Sequence, residues 1–172
     1  MNMTEAVSKG FARPTNAGDQ YLALGSLVTI IVPSTATGGR FAVIEHVIPP
    51  SSGPPLHTHT GYEYLHIIEG TFDTWIHDPD TPIPSAPGST ILVPPGVPHT
   101  TRNVGARAGR MLSIYAPGGD EDFFRAAGTP LAELPAPPDL HGPPDLSRLH
   151  LDRIEALAAQ FGMRLVGRAT PS

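Results

Sequence analysis

The sequence predicts an all-β domain, a sandwich or barrel, with one short helix and one C-terminal helix packed outside it. Short extended segments recur along the chain up to about residue 115. Glycine and proline turns separate these segments, and the chain holds 18 glycines and 21 prolines among 172 residues. Many short strands joined by such turns are typical of sandwiches and barrels. At this length we expect a single domain with a sizeable core.

Nine strands are predicted in the first two thirds of the chain. They cover residues 21–24, 27–32, 40–48, 56–59, 63–69, 72–77, 90–93, 99–103 and 110–115. Each is an extended segment bounded by residues that favour turns. We expect a partly ordered N-terminal arm over residues 1–18 and the β-barrel over residues 19–118.

A helical, proline-rich extension of the same domain is predicted over residues 119–172. Ile154, Leu157, Ala158 and Phe161 fall at helical spacing, and Gly162 follows as a C-terminal cap, so a helix is expected over residues 149–161. A shorter helix is expected over residues 120–127. The intervening segment 129–144 contains six prolines, which favours an extended connector over the surface.

Composition excludes several classes of function. The chain has no cysteine, so disulfides and thiolate ligands are absent, and any metal must be held by nitrogen and oxygen. A net charge of −5 without a basic cluster offers no electrostatic footprint for nucleic acid. Residues 1–18 hold an acidic Glu5 and no apolar run, so we expect neither a signal peptide nor a membrane anchor, and a cytoplasmic location.

Three histidines and one glutamate form a candidate metal site. His57 and His59 lie two residues apart in one predicted strand, so both side chains point to the same face, about 7 Å apart. A short break then allows Glu63 to return to the same centre. His99 comes from a distant strand, after a rigid Pro-Gly turn that positions its imidazole. This set suits one divalent transition metal (iron, nickel, manganese, copper, cobalt or zinc), and open positions on such an ion favour chemistry over a structural role.

The spacing of these residues resembles the two sequence motifs of the cupin superfamily. The first motif reads His57-x-His59-x3-Glu63-x6-Gly70, and the second reads Gly88-x5-Pro94-x-Gly96-x2-His99-x3-Asn103. One departure is Ser51, which stands where the first motif usually carries glycine. The resemblance covers about residues 40–118. It implies a jelly-roll β-barrel with the four metal ligands converging inside it.

Further segments resemble single-domain bacterial cupins related to quercetin dioxygenase, namely residues 49–57, 68–70, 116–124 and 159–167. This resemblance implies a mononuclear dioxygenase that acts on an enol or aromatic small molecule, flavonol-like or polyketide-like. The metal would anchor a substrate oxygen while Glu63 takes its proton. Two alternatives stay open: a Lewis-acid isomerase, cyclase or dehydratase of a polyketide-like or sugar-like substrate, and a non-catalytic, metal-dependent binder of small molecules.

Strand parity also suggests the walls of a substrate pocket. Leu65 and Ile67 share the face of Glu63, and Thr101 shares the face of His99. Asn103 lies on that face too, where a turn hydrogen bond is its expected role. The histidines outside the motif are interpreted as ordinary surface or strand-face residues; these are His46, His66, His77, His141 and His150. We also expect a homodimer, paired across a two-fold axis through the apolar strand 27–32.

Overall fold

A computed structural model describes residues 10–12, 14, 18–147 and 150–166 of the chain. The predicted N-terminal arm therefore lies mostly outside the described residues. Within them the chain forms two antiparallel β-sheets and two α-helices. The all-β prediction is confirmed, in the form of a two-sheet jelly-roll sandwich. None of the helices described is both long and apolar enough to span a membrane.

The larger sheet has seven strands among the described residues, in the order β11-β1-β2-β3-β10-β5-β8. Its strands are β1 (Asp19–Ala23), β2 (Ser26–Val32), β3 (Ala42–Ile48), β5 (Tyr62–Glu69), β8 (Thr90–Val93), β10 (Gly109–Ala116) and β11 (Thr129–Pro130). Side chains alternate in burial along β3 and β10. One face of this sheet therefore packs inward, as the period of a half-buried strand requires.

The smaller sheet has five strands in the same part of the chain, in the order β12-β4-β9-β6-β7. Its strands are β4 (His57–Thr58), β6 (Phe72–Ile76), β7 (Ile83–Ser85), β9 (His99–Asn103) and β12 (Arg164–Leu165). Phe72 and Ile76 of β6 pack against Leu65, Ile67 and other buried residues of the larger sheet. The main hydrophobic core thus lies between the two sheets.

Both predicted helices are present, slightly shorter than expected. Helix α1 spans Glu121–Ala127 and helix α2 spans Leu151–Gln160. Gly162 follows α2 with φ of 75°, so the predicted glycine cap is confirmed. Phe123 of α1 packs with Ala158 of α2 and with Met163. The helices therefore share a small apolar cluster of their own.

Three short edge strands were not predicted: β7, β11 and β12. Prolines precede and interrupt β7 and end β11, and proline is tolerated in a sheet only at edges and strand ends. Strand β11 opens the proline-rich connector by pairing with β1. Residues 129–130 of the predicted extended connector thus form an edge strand of the larger sheet.

The predicted dimer interface, in which strand 27–32 pairs with a second chain, is wrong. Strand β2 contains the apolar segment 27–32, yet it pairs with β1 on one side and β3 on the other. Both of its hydrogen-bonding edges are therefore in use within the sheet. A second chain cannot add to β2 by backbone pairing.

Candidate metal centre

Four side chains from three strands and one loop converge between the sheets. His57 lies in β4 and faces His99 of β9 as its cross-strand partner, while His59 follows β4 and Glu63 lies in β5. One ligand atom from each residue lies within 4.8 Å of the other three. A first-row ion with bonds of about 2.0–2.2 Å holds its ligands no more than about 4.4 Å apart. The predicted convergence is confirmed, and shifts of a few tenths of an ångström would bring all four atoms onto one ion.

Backbone carbonyls orient the three imidazoles. Each Nδ1 lies within hydrogen-bond distance of a carbonyl two residues away: Pro55 at 2.9 Å for His57, Gly61 at 2.8 Å for His59 and Val97 at 2.9 Å for His99. A carbonyl oxygen only accepts, so each Nδ1 carries the hydrogen. In a neutral ring, Nε2 then presents a bare lone pair, which is the form that binds metal.

The carboxylate of Glu63 faces two of these rings. Its Oε2 lies 3.1 Å from Nε2 of His59 and 2.9 Å from Nε2 of His99. In neutral rings with the hydrogen on Nδ1, both Nε2 atoms and the carboxylate oxygen of Glu63 are acceptors. Such short distances between acceptors require a positive charge between them. Protons would create two buried imidazolium ions, whereas one divalent cation would satisfy all four ligands together. The donor set therefore fits a metal.

Electrostatics keep the carboxylate ionised and His57 neutral. Burial favours the neutral acid, but the adjacent imidazoles of His59 and His99 outweigh it and hold the pKa of Glu63 well below its usual range. Burial, and then the neighbouring His99, lower the pKa of His57 to about 4. Burial also opposes a charge on His59, yet Glu63 raises the pKa of that imidazole above its usual value. The cluster thus carries an anion that attracts a cation.

The Pro-Gly turn before His99 connects two of the ligands. Gly96 has φ of 75°, and its N–H donates to the carbonyl of His59 at 2.8 Å. A carbonyl of the same turn, on Val97, orients His99. One turn therefore fixes the backbone of one ligand and the ring of another.

Ser51, the departure from the first motif, adopts a backbone conformation that favours glycine. Ser51 has φ of 56°, in the left-handed region that glycine adopts without strain. Its N–H donates to the carbonyl of Asn103 at 2.9 Å, and the N–H of Asn103 donates to the carbonyl of Ser52 at 2.8 Å. The side chain of Asn103 bonds the carbonyls of Ile48 and Arg107, so its predicted role as a turn hydrogen-bonder is confirmed.

A mostly apolar cavity of about 90 Å³ opens beside the four residues. Leu65 and Thr101, two of the predicted pocket residues, contribute to its wall. Ile67, the third, is fully buried in the core between the sheets and is not among the described residues that line the cavity. Phe123 and Phe124 of α1, with Ile154 of α2, complete the wall. The helices therefore cover the cavity that the sheets enclose.

The cavity wall also holds polar residues that were not predicted from the sequence, among them His46, Ser113 and Tyr115. Tyr115 is the cross-strand partner of Glu63, and its ring meets that of His59 edge-on at 6.1 Å. Burial, and then the charge of Glu63, raise the pKa of Tyr115 well above its usual value, so its phenol keeps its proton. Each of the three occupies an inward position of an alternating strand, which is the signal that could have found them.

Asp120 adds a second acid near the centre. Burial raises its pKa to about 6, with the charges of Glu63 and Glu121 acting in the same direction and His59 opposing them. Asp120 lies within the segment 116–124, but neither of the two metal motifs includes it. It stands directly before α1, where the covering helix begins.

Comparison with known families finds a match in the part of the chain that holds the two motifs. Residues 44–115 match the family described as the cupin domain. This match agrees with the resemblance that the motif spacing indicated and with the two-sheet fold. Comparison with curated proteins finds no sequence match.

Solved structures share the fold at low sequence identity. The polyketide cyclase RemF from Streptomyces resistomycificus is 18% identical, with a TM-score of 0.55 over 62% of this chain and 78% of that one. An RmlC-like cupin from Shewanella frigidimarina is 15% identical, with a TM-score of 0.56 over 67% and 96%. KdgF from Halomonas sp. is 12% identical, with a TM-score of 0.57 over 66% and 99%. Identities this low show the fold alone.

Proposed function

We propose that the protein is a metal-dependent enzyme that removes a proton from a small enol, phenol or enolisable ketone. The observation that carries this proposal is the cluster of three oriented imidazoles and one carboxylate beside a mostly apolar cavity. A buried anion with three aligned lone pairs is costly as a purely structural feature. A cavity at its side gives a ligand access to the same centre.

Two residues of the chain would transfer the proton, one as the base that accepts it and one as the acid that returns it. A divalent ion held by His57, His59, Glu63 and His99 would supply Lewis acidity, which makes a hydroxyl or an α-carbon of the ligand more acidic. Glu63 is ionised and can accept the proton. Its cross-strand partner Tyr115 keeps its own proton and can return one to the product.

A dioxygenase is the first form of this proposal. Removal of the proton by Glu63 leaves an electron-rich anion, and dioxygen then adds to that anion. The apolar side chains of α1 and α2 around the cavity would support this reaction by excluding water from a reactive intermediate. This form requires oxygen to disappear in step with the substrate.

A Lewis-acid isomerase or cyclase is the second form, and a specific observation favours it. The pair of Glu63 as base and Tyr115 as acid can move a proton from one carbon or oxygen to another without any oxidant. The fold shared with a polyketide cyclase is compatible with this form. Turnover in the absence of oxygen would separate it from the dioxygenase.

The experiment is a screen of enols, phenols and enolisable ketones with metal-loaded protein, with and without oxygen. Glu63→Gln should keep part of the metal, because three imidazoles remain, and lose about 10²- to 10⁴-fold in turnover, the usual worth of a positioned base. His66→Ala is the matched control, since His66 lies on the opposite face of β5 and is not among the described residues that line the cavity. Full activity of Glu63→Gln with its metal bound would contradict the proposal.

A further inference from the structure

Two buried polar atoms in the cavity wall meet none of the described residues at normal hydrogen-bond geometry. They are Nε2 of His46 and Oγ of Ser113, whose residues are 8% and 1% exposed. The hydroxyl of Ser113 lies close enough to Tyr115 to oppose the rise in the pKa of that phenol, whereas Nε2 of His46 has no such neighbour. A third such atom, Nδ1 of His66, belongs to a residue outside the cavity wall. An unpaired polar atom is costly in an apolar interior, so each one requires an explanation.

The strand register places these two residues on a diagonal that starts at the metal centre. Glu63 pairs with Tyr115 of β10, and two residues earlier in β10 stands Ser113. Two residues earlier again, Met111 pairs with His46 of β3. From Glu63 to Ser113, and again from Ser113 to His46, the path moves to the adjacent strand and two residues along it. The Cα atoms at the two ends of each step are therefore about 8 Å apart. A ligand bound with one end at Glu63 and extended along the inner face of the sheet would therefore contact Ser113, and then His46 at its far end.

The surroundings of His46 prepare it to bind an uncharged oxygen. Burial lowers the pKa of His46 to about 4, so the ring is neutral near pH 7. The rings of His46 and Phe124 form a T-shaped pair at a centroid distance of 5.3 Å, which restrains the orientation of the imidazole. The walls around it include Val28, Ile48 and Met111. A neutral, restrained imidazole between apolar walls suits a hydroxyl or carbonyl group and disfavours an anion or a cation.

We infer that His46 and Ser113 form the far end of the substrate site, where they bind a second oxygen of a ligand whose first oxygen lies at the metal centre. This inference rests on the proposed function and names its substrate class. That class is a compact, mostly apolar enol or phenol, with a hydroxyl or carbonyl on the side opposite its chelating oxygens. The cavity of about 90 Å³ is small beside usual ligand pockets of roughly 300–1,000 Å³, which favours one ring over several.

A matched pair of one-ring chelators tests this inference on the intact protein. Kojic acid and allomaltol share the same hydroxypyranone, and they differ only in a hydroxymethyl or a methyl group on the far side of the ring. We expect the zinc-loaded wild type to bind kojic acid about 3- to 10-fold more tightly by isothermal titration calorimetry, the worth of one hydrogen bond to a neutral buried group. His46→Leu and Ser113→Ala should reduce this ratio, whereas His66→Ala should keep it.

The outcomes separate this inference from the proposed function. Equal Kd values of the two chelators for the wild type, a measurement that needs no variant, would overturn the inference and leave the metal site standing. An unchanged ratio in both folded variants would overturn it as well. No binding of either chelator to protein that carries its zinc would overturn the proposed function, and the inference with it.

Discussion

At the scale of single residues, three backbone carbonyls prepare the metal site. The carbonyls of Pro55, Gly61 and Val97 each accept a hydrogen bond from Nδ1 of a histidine two residues away. The rings are therefore oriented by local turns, and the tautomer that exposes Nε2 is fixed before any ion arrives. Partners of this kind raise metal affinity by avoiding reorganisation on binding.

Ser51 gives a test of backbone strain at one residue. We predict that Ser51→Gly raises the free energy of unfolding by about 0.5–1 kcal/mol, because a non-glycine residue in the left-handed region costs about 1–2 kcal/mol and glycine loses part of that gain in the unfolded chain. Ser52→Gly is the matched control. It removes the hydrogen bond from Oγ to the carbonyl of Pro49 at 2.8 Å and should destabilise. Urea unfolding of the wild type and both variants measures these free energies. A Ser51→Gly variant less stable than the wild type would contradict the prediction.

The sequence allowed the ligands to be predicted but not the rest of the cavity wall. His57, His59, Glu63 and His99 have fixed spacing, which a motif reveals. His46 and Ser113 are single polar residues in otherwise ordinary strands. Their role depends on which residue stands opposite each of them, and that register is set by pairing over long distances along the chain. His46 lies on a strand face, as predicted, and only the structure reveals that this face is the buried wall of the cavity.

At the scale of elements, a buried carboxylate joins α1 to the sandwich. Glu121, at the first turn of α1, accepts the N–H of Ser34 at 2.7 Å and the N–H of Gly119 at 2.8 Å. Burial favours its neutral form, but the hydrogen bonds from Ser34 outweigh this and lower the pKa of Glu121 below its ordinary value of 4.5. The helix that covers the cavity is therefore held in place by an ionised side chain.

Glu121→Gln should lower the free energy of unfolding by about 2 kcal/mol at neutral pH, since charge-assisted hydrogen bonds are lost. Because the folded pKa is depressed, the wild type has this contribution above pH 4.5 and loses it as the pH falls toward the folded pKa. The difference between the two proteins should therefore shrink in acid. Glu155→Gln on the exposed face of α2 is the control. Thermal melts from pH 7 to pH 3 measure this, and a constant difference would contradict it.

Strands with alternating side chains were predicted well, and the edge strands were not. The central strands β3, β5 and β10 have seven or eight residues that alternate in burial, so each is long enough to be recognised as an extended segment. Strands β7, β11 and β12 have two or three residues each, too few for a period to show. Their conformation is imposed by the neighbouring strand and not by local preference, which is why tertiary pairing was needed to find them.

At the scale of the whole molecule, the outer face of the larger sheet exposes large apolar side chains to solvent. Tyr62 of β5 is 51% exposed and Leu92 of β8 is 60% exposed. Tyr64 is the cross-strand partner of Leu92, so these aromatic and aliphatic side chains are neighbours. An exposed apolar patch of this kind favours association with another surface.

We therefore keep the homodimer as a prediction and move its interface from β2 to this outer face. Light scattering after size exclusion should give twice the chain mass of 18.2 kDa, and Leu92→Glu should shift the mass toward the monomer by placing a charge in the apolar contact. Glu69→Gln, an exposed change in the same sheet, should leave the dimer intact. A monomeric wild type at working concentration would contradict the prediction.

The central claim is that His57, His59, Glu63 and His99 bind one divalent transition metal. The most direct measurement is elemental analysis of the purified protein, repeated on His59→Ala, His99→Ala and the His66→Ala control. We predict about one equivalent per chain in the wild type and the control, and a loss of metal in the two ligand variants. The melting temperature should fall with the metal, because an ion that binds only the folded state stabilises it. Equal metal content in the wild type and both ligand variants would contradict the claim.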